Sequence, residues 1–134
     1  MHRKRLWIVV VVAFVLVGLL AAGCSTGNPQ IELPQTEHDF GDVQQGDVVT
    51  VTLPVRNVGK KDLHIESVAT SCGCTSAKVE PQVIAPGGEA TLTVWYDSGL
   101  HPDEGPIWRV VYITTDDPET PEARVDIRAT VIAP

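Results

Sequence analysis

Ala90-Thr91-Leu92-Thr93-Val94-Trp95-Tyr96 decides the fold. Ala90, Leu92, Val94 and Tyr96 fall on one side of an extended chain and Thr91, Thr93 and Trp95 on the other, the period of two that marks a strand with one buried face. Pro86-Gly87 announces this strand, because proline presets φ and glycine accepts the positive φ that a type II turn demands. The same alternation recurs upstream, where Val49, Val51, Leu53 and Val55 interleave with Thr50, Thr52, Pro54 and Arg56. It recurs again near the C-terminus, where Val125, Ile127, Ala129 and Val131 interleave with Arg124, Asp126, Arg128 and Thr130. Pro54 donates no backbone hydrogen bond, so its strand belongs at a sheet edge or a bulge and is not fully paired on both sides.

The intervening chain fits the same plan. Ile31-Glu32-Leu33 reads as a short first strand, and residues 38–43 lead into the turn Gln45-Gly46-Asp47. Leu63 and Ile65 begin a strand with His64 and Glu66 on its outer face, and residues 75–79 form a brief extended piece. Residues 97–106 are rich in turn formers and read as an exposed loop. Residues 107–115 follow as a strand apolar on both faces, which predicts a central or covered position. Residues 116–121 turn the chain into the last strand. No stretch after the first 23 residues sustains a 3.6-residue period. The expected fold is all-β, an immunoglobulin-like β-sandwich of about seven antiparallel strands, without the Cys…Trp…Cys spacing of antibody domains.

The first residues read as an address. Arg3, Lys4 and Arg5 form a charged n-region and residues 6–20 an apolar run of mainly Val and Leu, as a secretory signal requires. Leu19-Leu20-Ala21-Ala22-Gly23-Cys24 resembles the lipobox of bacterial lipoproteins, with Ala21 three residues before the cysteine. The expected organisation is a signal peptide over residues 1–23, a lipidated Cys24 with a flexible tether over 24–34, and one sandwich domain over 35–134. An uncleaved anchor is the other reading, since residues 6–23 come close to the roughly 18 apolar residues that can span a bilayer. Both readings hold the domain on the extracytoplasmic side of a bacterial cell membrane.

Composition narrows the partners. Ten Lys+Arg stand against 17 Asp+Glu, a formal net charge of −7, and removal of Arg3, Lys4 and Arg5 leaves seven cations against those 17 anions. Such a surface repels phosphate backbones, which argues against nucleic acid as a partner. With aromatic residues at 5%, aliphatic side chains must fill most of the core.

Chemistry concentrates at Ser71-Cys72-Gly73-Cys74-Thr75. Once Cys24 takes lipid, Cys72 and Cys74 remain as an even pair in a compartment where disulfides persist. On a regular strand their Cα atoms stand about 6.6 Å apart, at the upper edge of the range a disulfide tolerates. A bridge therefore needs a bend, which Gly73 allows through positive φ. Three readings of the pair stay open: a disulfide or redox pair, two small buried structural thiols, and a soft-metal site for an ion such as copper. A metal would want further ligands from His38, His64 or His101, and His64 stands out because its strand runs into the motif.

The ordered set Asp39-Phe40-Gly41-Asp42-Val43, Gly46, Val55-Arg56-Asn57-Val58-Gly59, Leu63-His64-Ile65, Ser71-Cys72-Gly73-Cys74-Thr75, Ala85-Pro86-Gly87 and Thr114-Thr115-Asp116-Asp117-Pro118 resembles the bacterial family catalogued as domain of unknown function 1573. The resemblance covers residues 36–131. It implies an immunoglobulin-like sandwich related to the domains of hydin and of the major sperm protein group, often exported and lipid-anchored, with no established biochemical function.

The expected role is a non-enzymatic module, anchored to the membrane by lipid, that binds another extracytoplasmic protein or peptide or serves a structural purpose. Sandwiches with open edges recruit extended peptides as extra strands. The alternative is thiol redox or copper handling at Cys72 and Cys74. No Gly-x-Ser-x-Gly elbow, His-Glu-x-x-His pair or phosphate-cradling loop is present, so no hydrolytic chemistry is expected.

Overall fold

A computed structural model describes residues 26–101 and 103–133. The segment read as a signal peptide and Cys24 lie outside these residues. The described chain forms nine strands: β1 (Ile31–Glu32), β2 (Glu37–Gln44), β3 (Val48–Asn57), β4 (Leu63–Thr70), β5 (Thr75–Glu80), β6 (Val83–Ile84), β7 (Glu89–Asp97), β8 (Gly105–Thr115) and β9 (Glu122–Ile132). They make two sheets, ordered β1-β3-β7-β5 and β2-β9-β8-β4-β6, packed face to face as a sandwich.

The alternating stretches become the core strands. Leu92, Val94 and Tyr96 of β7 are fully buried, as are Val55 of β3, Val111 and Ile113 of β8, and Ile127 of β9. Each of the larger aliphatic side chains contributes about 1.5–3 kcal/mol by leaving water. The main cluster runs from Ile31 and Leu53 through Leu92 and Val94 to Ile113 and Ile127. A smaller one gathers Val43, Cys74, Tyr96, Ile107, Ala129 and Val131. The turn before β7 has the expected form, with Gly87 at φ 75° and the Gly88 N–H donating to Ala85 O at 2.8 Å. Strand β8 lies between β9 and β4. Ile107, Val111 and Ile113 enter the core, whereas Trp108 on the opposite face is 62% exposed.

Three features depart from the sequence expectation. Strands β2 and β6 raise the count from about seven to nine, and β2 pairs with β9 in parallel, not antiparallel, fashion. Residues 37–44 carry no clean alternation because the register shifts between Asp39 and Asp42, where Gly41 takes φ 68°. Strand β6 is two residues long, too short to show a period. The domain also begins before residue 35. Ile31 and Glu32 pair with Asn57 and Arg56, Ile31 is buried, and the Val58 and Lys60 N–H groups donate to Gln30 O and Asn28 O. A backbone so bonded is part of the fold and not a flexible tether.

Asn57 closes this end of the sandwich. Its side chain is fully buried; Nδ2 donates to Lys61 O at 2.7 Å and Ile84 O at 2.8 Å, while Oδ1 accepts from the N–H groups of Gln30 at 3.3 Å and Gly59 at 2.9 Å. Asp117, also buried, accepts the Ile31 N–H at 2.9 Å and the Glu119 N–H at 2.8 Å. At the other end Ser98 is buried. Its hydroxyl lies 2.9 Å from Gln44 O and 2.8 Å from Asp47 O, and accepts the Gly46 N–H at 3.0 Å. The segment read as an exposed loop is thus anchored at its start.

Replacing Asn57 by Ala removes partners from four different residues, of which the buried Ile84 O and the part-buried Gln30, Gly59 and Lys61 groups lose their bonds, a buried group costing about 1–3 kcal/mol when left unpaired. We expect Asn57→Ala to lose about 3 kcal/mol or more of stability by urea unfolding, and an unchanged midpoint would show that water replaces the side chain without cost.

Candidate functional site

Ser71 to Thr75 carry the chain from β4 in one sheet to β5 in the other. Ser71 is tied to β8, its N–H donating to Val110 O and its Oγ accepting the Val110 N–H, both at 2.9 Å. The chain then turns, with the Thr75 N–H donating back to Cys72 O at 3.1 Å. The Thr70 hydroxyl is shared between Thr75 O at 2.8 Å and Cys72 O at 3.0 Å. Cys72 and Cys74 are joined as a disulfide across a Cα separation of 5.2 Å, well inside the separation expected on a straight strand. The bend does not use positive φ at Gly73, contrary to expectation. It comes from the turn closed by Thr75. A Cβ at Gly73 would meet nothing within 4 Å, so that position is open to solvent.

The two sulfurs differ in their surroundings. Cys74 is 2% exposed and belongs to the core cluster with Tyr96 and Ile107, whereas Cys72 is half-buried at its rim. The Cys74 N–H donates to Cys72 Sγ at 3.2 Å. Arg109 donates from Nε to Cys74 Sγ at 3.3 Å, and Thr75 Oγ1 lies 3.8 Å from the same sulfur. The guanidinium is held in turn by Asp103 and by Trp108 O, the latter at 3.0 Å from Nη1. Burial pushes the nearby Tyr96 phenol up, and Asp103 adds to the shift. Its hydroxyl is the one buried side-chain polar atom without a partner among the described residues.

Of the histidines, His101 joins the cysteines: one atom from each of Cys72, Cys74 and His101 lies within 4.8 Å of the others. These three could hold a soft ion only after the disulfide is reduced, because bridged sulfurs offer no thiolate. His64 is not brought to the motif. It sits at the start of β4, eight residues back, with Nδ1 at 2.6 Å from Asp116 Oδ2 and its N–H donating to Asp116 Oδ1 at 2.8 Å. His38 packs edge-on against Phe40. The partners that sequence reading missed are Arg109 and Asp103; His101 is among the three histidines the sequence offers, although His64 stands out there. Arg109 left a signal, since period two puts it on the inward face between Ile107 and Val111, where a cation needs a partner.

A second feature is the outer edge of β3. Its whole length pairs with β7 on one side, but β1 covers only Arg56 and Asn57 on the other. The Asn57 N–H donates toward Gly88 and the Val58 N–H toward Gln30, so odd residues of β3 face β7 and even ones face outward. The backbone groups of Thr50 and Thr52 therefore lie on an open edge, and Pro54 stands where its missing N–H costs nothing, as the sequence implied. Other borders are guarded: β2 by its bulge and by Glu37, Asp39 and Asp42, and β5 by the Lys78–Glu80 ion pair at 2.8 Å. No charged side chain occurs from residue 48 to residue 55.

The comparisons place this geometry among known proteins. The profile of the family described as protein of unknown function (DUF1573) matches residues 31–131. A protein of unknown function from Porphyromonas gingivalis W83 is similar at 27% identity and a TM-score of 0.71, over 81% of this chain and 50% of that one. This chain thus spans half the length of that protein. The PapD-like domain 7 of human CEP192 is similar at 11% identity and TM-score 0.59, over 80% and 88% of the two chains. The secreted serine protease VesC from Vibrio cholerae matches at 14% identity and TM-score 0.54, over 78% of this chain and 23% of its own. The last two show the fold alone. No curated protein matches the chain.

Burial opposes ionisation of Asp116, yet the hydrogen bonds from His64 and its imidazole hold the carboxyl below its ordinary value. A depressed folded-state pKa stabilises above the unfolded value and is lost as pH falls through the folded one. Asp116→Asn should therefore flatten the decline in stability as pH falls below the ordinary carboxylate value of about 4, measured by thermal melts through the acid range; an unchanged slope would show that Asp116 titrates alike in both states.

Proposed function

Because the chain belongs to this family of unknown function, DUF1573, we propose from its own geometry that it is a non-enzymatic binding module, held at the extracytoplasmic face of a bacterial membrane by lipid on Cys24, which captures an extended segment of another extracytoplasmic protein along β3. The observation that carries the reading is the unpaired edge of β3. Thr50 and Thr52 offer a row of backbone donors and acceptors, Val48 is 58% exposed at its end, and no charge along residues 48–55 discourages an added strand. Backbone bonds to such an edge supply affinity, and alternate side chains of the incoming segment supply selectivity.

Location has independent support. The charged and apolar leader, the lipobox-like run ending at Cys24 and the Cys72–Cys74 disulfide agree with export to an oxidising compartment. Lipid attachment is tested by feeding the producing cells a radiolabelled fatty acid, which should label the native chain and leave Cys24→Ala unlabelled and longer by the uncut residues 1–23; a native chain that takes up no label would indicate an uncleaved anchor.

The edge is tested by a photo-crosslinking amino acid placed at Thr50 or, as a control, at Trp108 on the opposite sheet, in the producing cells. Adducts with a second protein are expected from position 50 and not from 108. Thr52→Pro, which removes one outward N–H and leaves the β7 ladder intact, should reduce the adduct about tenfold, as loss of about 1.4 kcal/mol of edge bonding implies. Adducts twice the mass of this chain would assign the edge to self-association, and equal labelling from both positions would overturn the proposal.

A further inference from the structure

We propose that the Cys72–Cys74 disulfide is a working redox group that exchanges with the dithiol of a partner protein, with Cys72 as the sulfur attacked and Cys74 as the sulfur released. Four observations converge on it. Cys72 is at the rim and reachable, while Cys74 is 2% exposed. Arg109 aims its Nε–H at Cys74 Sγ from 3.3 Å, and a neighbouring guanidinium favours the thiolate over the thiol. Asp103 and Trp108 O fix that guanidinium, so its orientation does not have to be created during the reaction. Finally, Arg109 sits on the inward face of β8 beside the sulfur and takes its counter-ion, Asp103, from the loop before that strand, where burial of ions has to be compensated. A disulfide serving only as a staple needs no cation at one of its sulfurs.

The step balances as an ordinary exchange. A partner thiolate attacks Cys72 Sγ, the Cys72–Cys74 bond breaks, and its electron pair leaves on Cys74 Sγ opposite Arg109. A mixed disulfide now joins the partner to Cys72. The partner's second thiolate attacks its own sulfur in that bond and releases Cys72, which takes a proton from water. The partner loses two electrons and becomes a disulfide; the Cys72-Gly73-Cys74 turn gains them. Leaving-group thiols of lower pKa depart faster, and stabilising the reduced form makes a disulfide more oxidising. Arg109 contributes to both effects, and Asp103, by offsetting the guanidinium charge, moderates them.

The test equilibrates the full chain, exported and purified in detergent, with glutathione buffers and counts thiols by alkylation and intact mass. Arg109→Gln should lower the equilibrium constant for oxidation of glutathione about tenfold, equivalent to about 30 mV. Asp103→Asn should shift it in the opposite direction. A merely structural effect would move both variants the same way. The two single-cysteine variants test the roles of the sulfurs: reduced Cys74→Ser should form a mixed disulfide with oxidised glutathione at Cys72, and Cys72→Ser should do so at least tenfold more slowly. These arms stand even if Arg109→Gln fails to fold. A bridge that no glutathione ratio reduces, shifts of equal sign in the two charge variants, or equal reactivity of the two cysteines would overturn the proposal. So would stoichiometric copper retained by the reduced chain that blocks exchange.

Discussion

The four hydrogen bonds of Asn57 are the constraint on which the architecture rests. A buried amide pays for its burial only if both its donor and its acceptor capacity are met, and here the partners come from the chain before β1, the turn after β3 and strand β6. One side chain therefore fixes the entry of the chain, the end of the longest edge and the closing of the second sheet. Asp117 repeats the device from the opposite sheet by accepting the Ile31 N–H. Aliphatic burial supplies most of the favourable free energy, but it is non-directional. These polar knots decide which of the many ways to stack two sheets is adopted.

How much of this was legible in the sequence follows from what period two can report. Residues 48–57, 89–97 and 122–132 face one way into a core, so their apolar positions alternate and their pairing partners hardly matter. Strand β2 earns its place through backbone pairing with β9 and a bulge at Gly41, and a pairing leaves no hydropathy signature. Asn57, Asp117 and Ser98 occur in runs that look like ordinary turn chemistry; nothing local distinguishes a buried Asn from a solvated one. Of these three, Asn57 and Asp117 fall within the segments that carried the family resemblance.

The cysteine pair itself was plain, but its environment was not. His64 is close in sequence to the motif, and a strand converts that closeness into roughly 3.3 Å of separation per residue. Arg109, Asp103 and His101 arrive from across the sheet and from a loop, at sequence distances that no spacing rule covers. The one available clue was a cation on an inward-facing position of β8, a violation of local pattern of the kind that marks strained or functional places.

Strand β3 also acts as a ruler. Asn57 lies at one end of it beside the segment where the described chain enters the fold, while Val48 at the other end pairs with Asp97, whose N–H donates to Cys74 O. Ten residues at about 3.3 Å each put roughly 30 Å between the two. Any point of attachment reached through residues 26–30 is consequently held at a standoff from the cysteine turn of nearly the full height of the molecule, and the edge of β3 lies open between them up to Arg56 and Asn57, where β1 covers it.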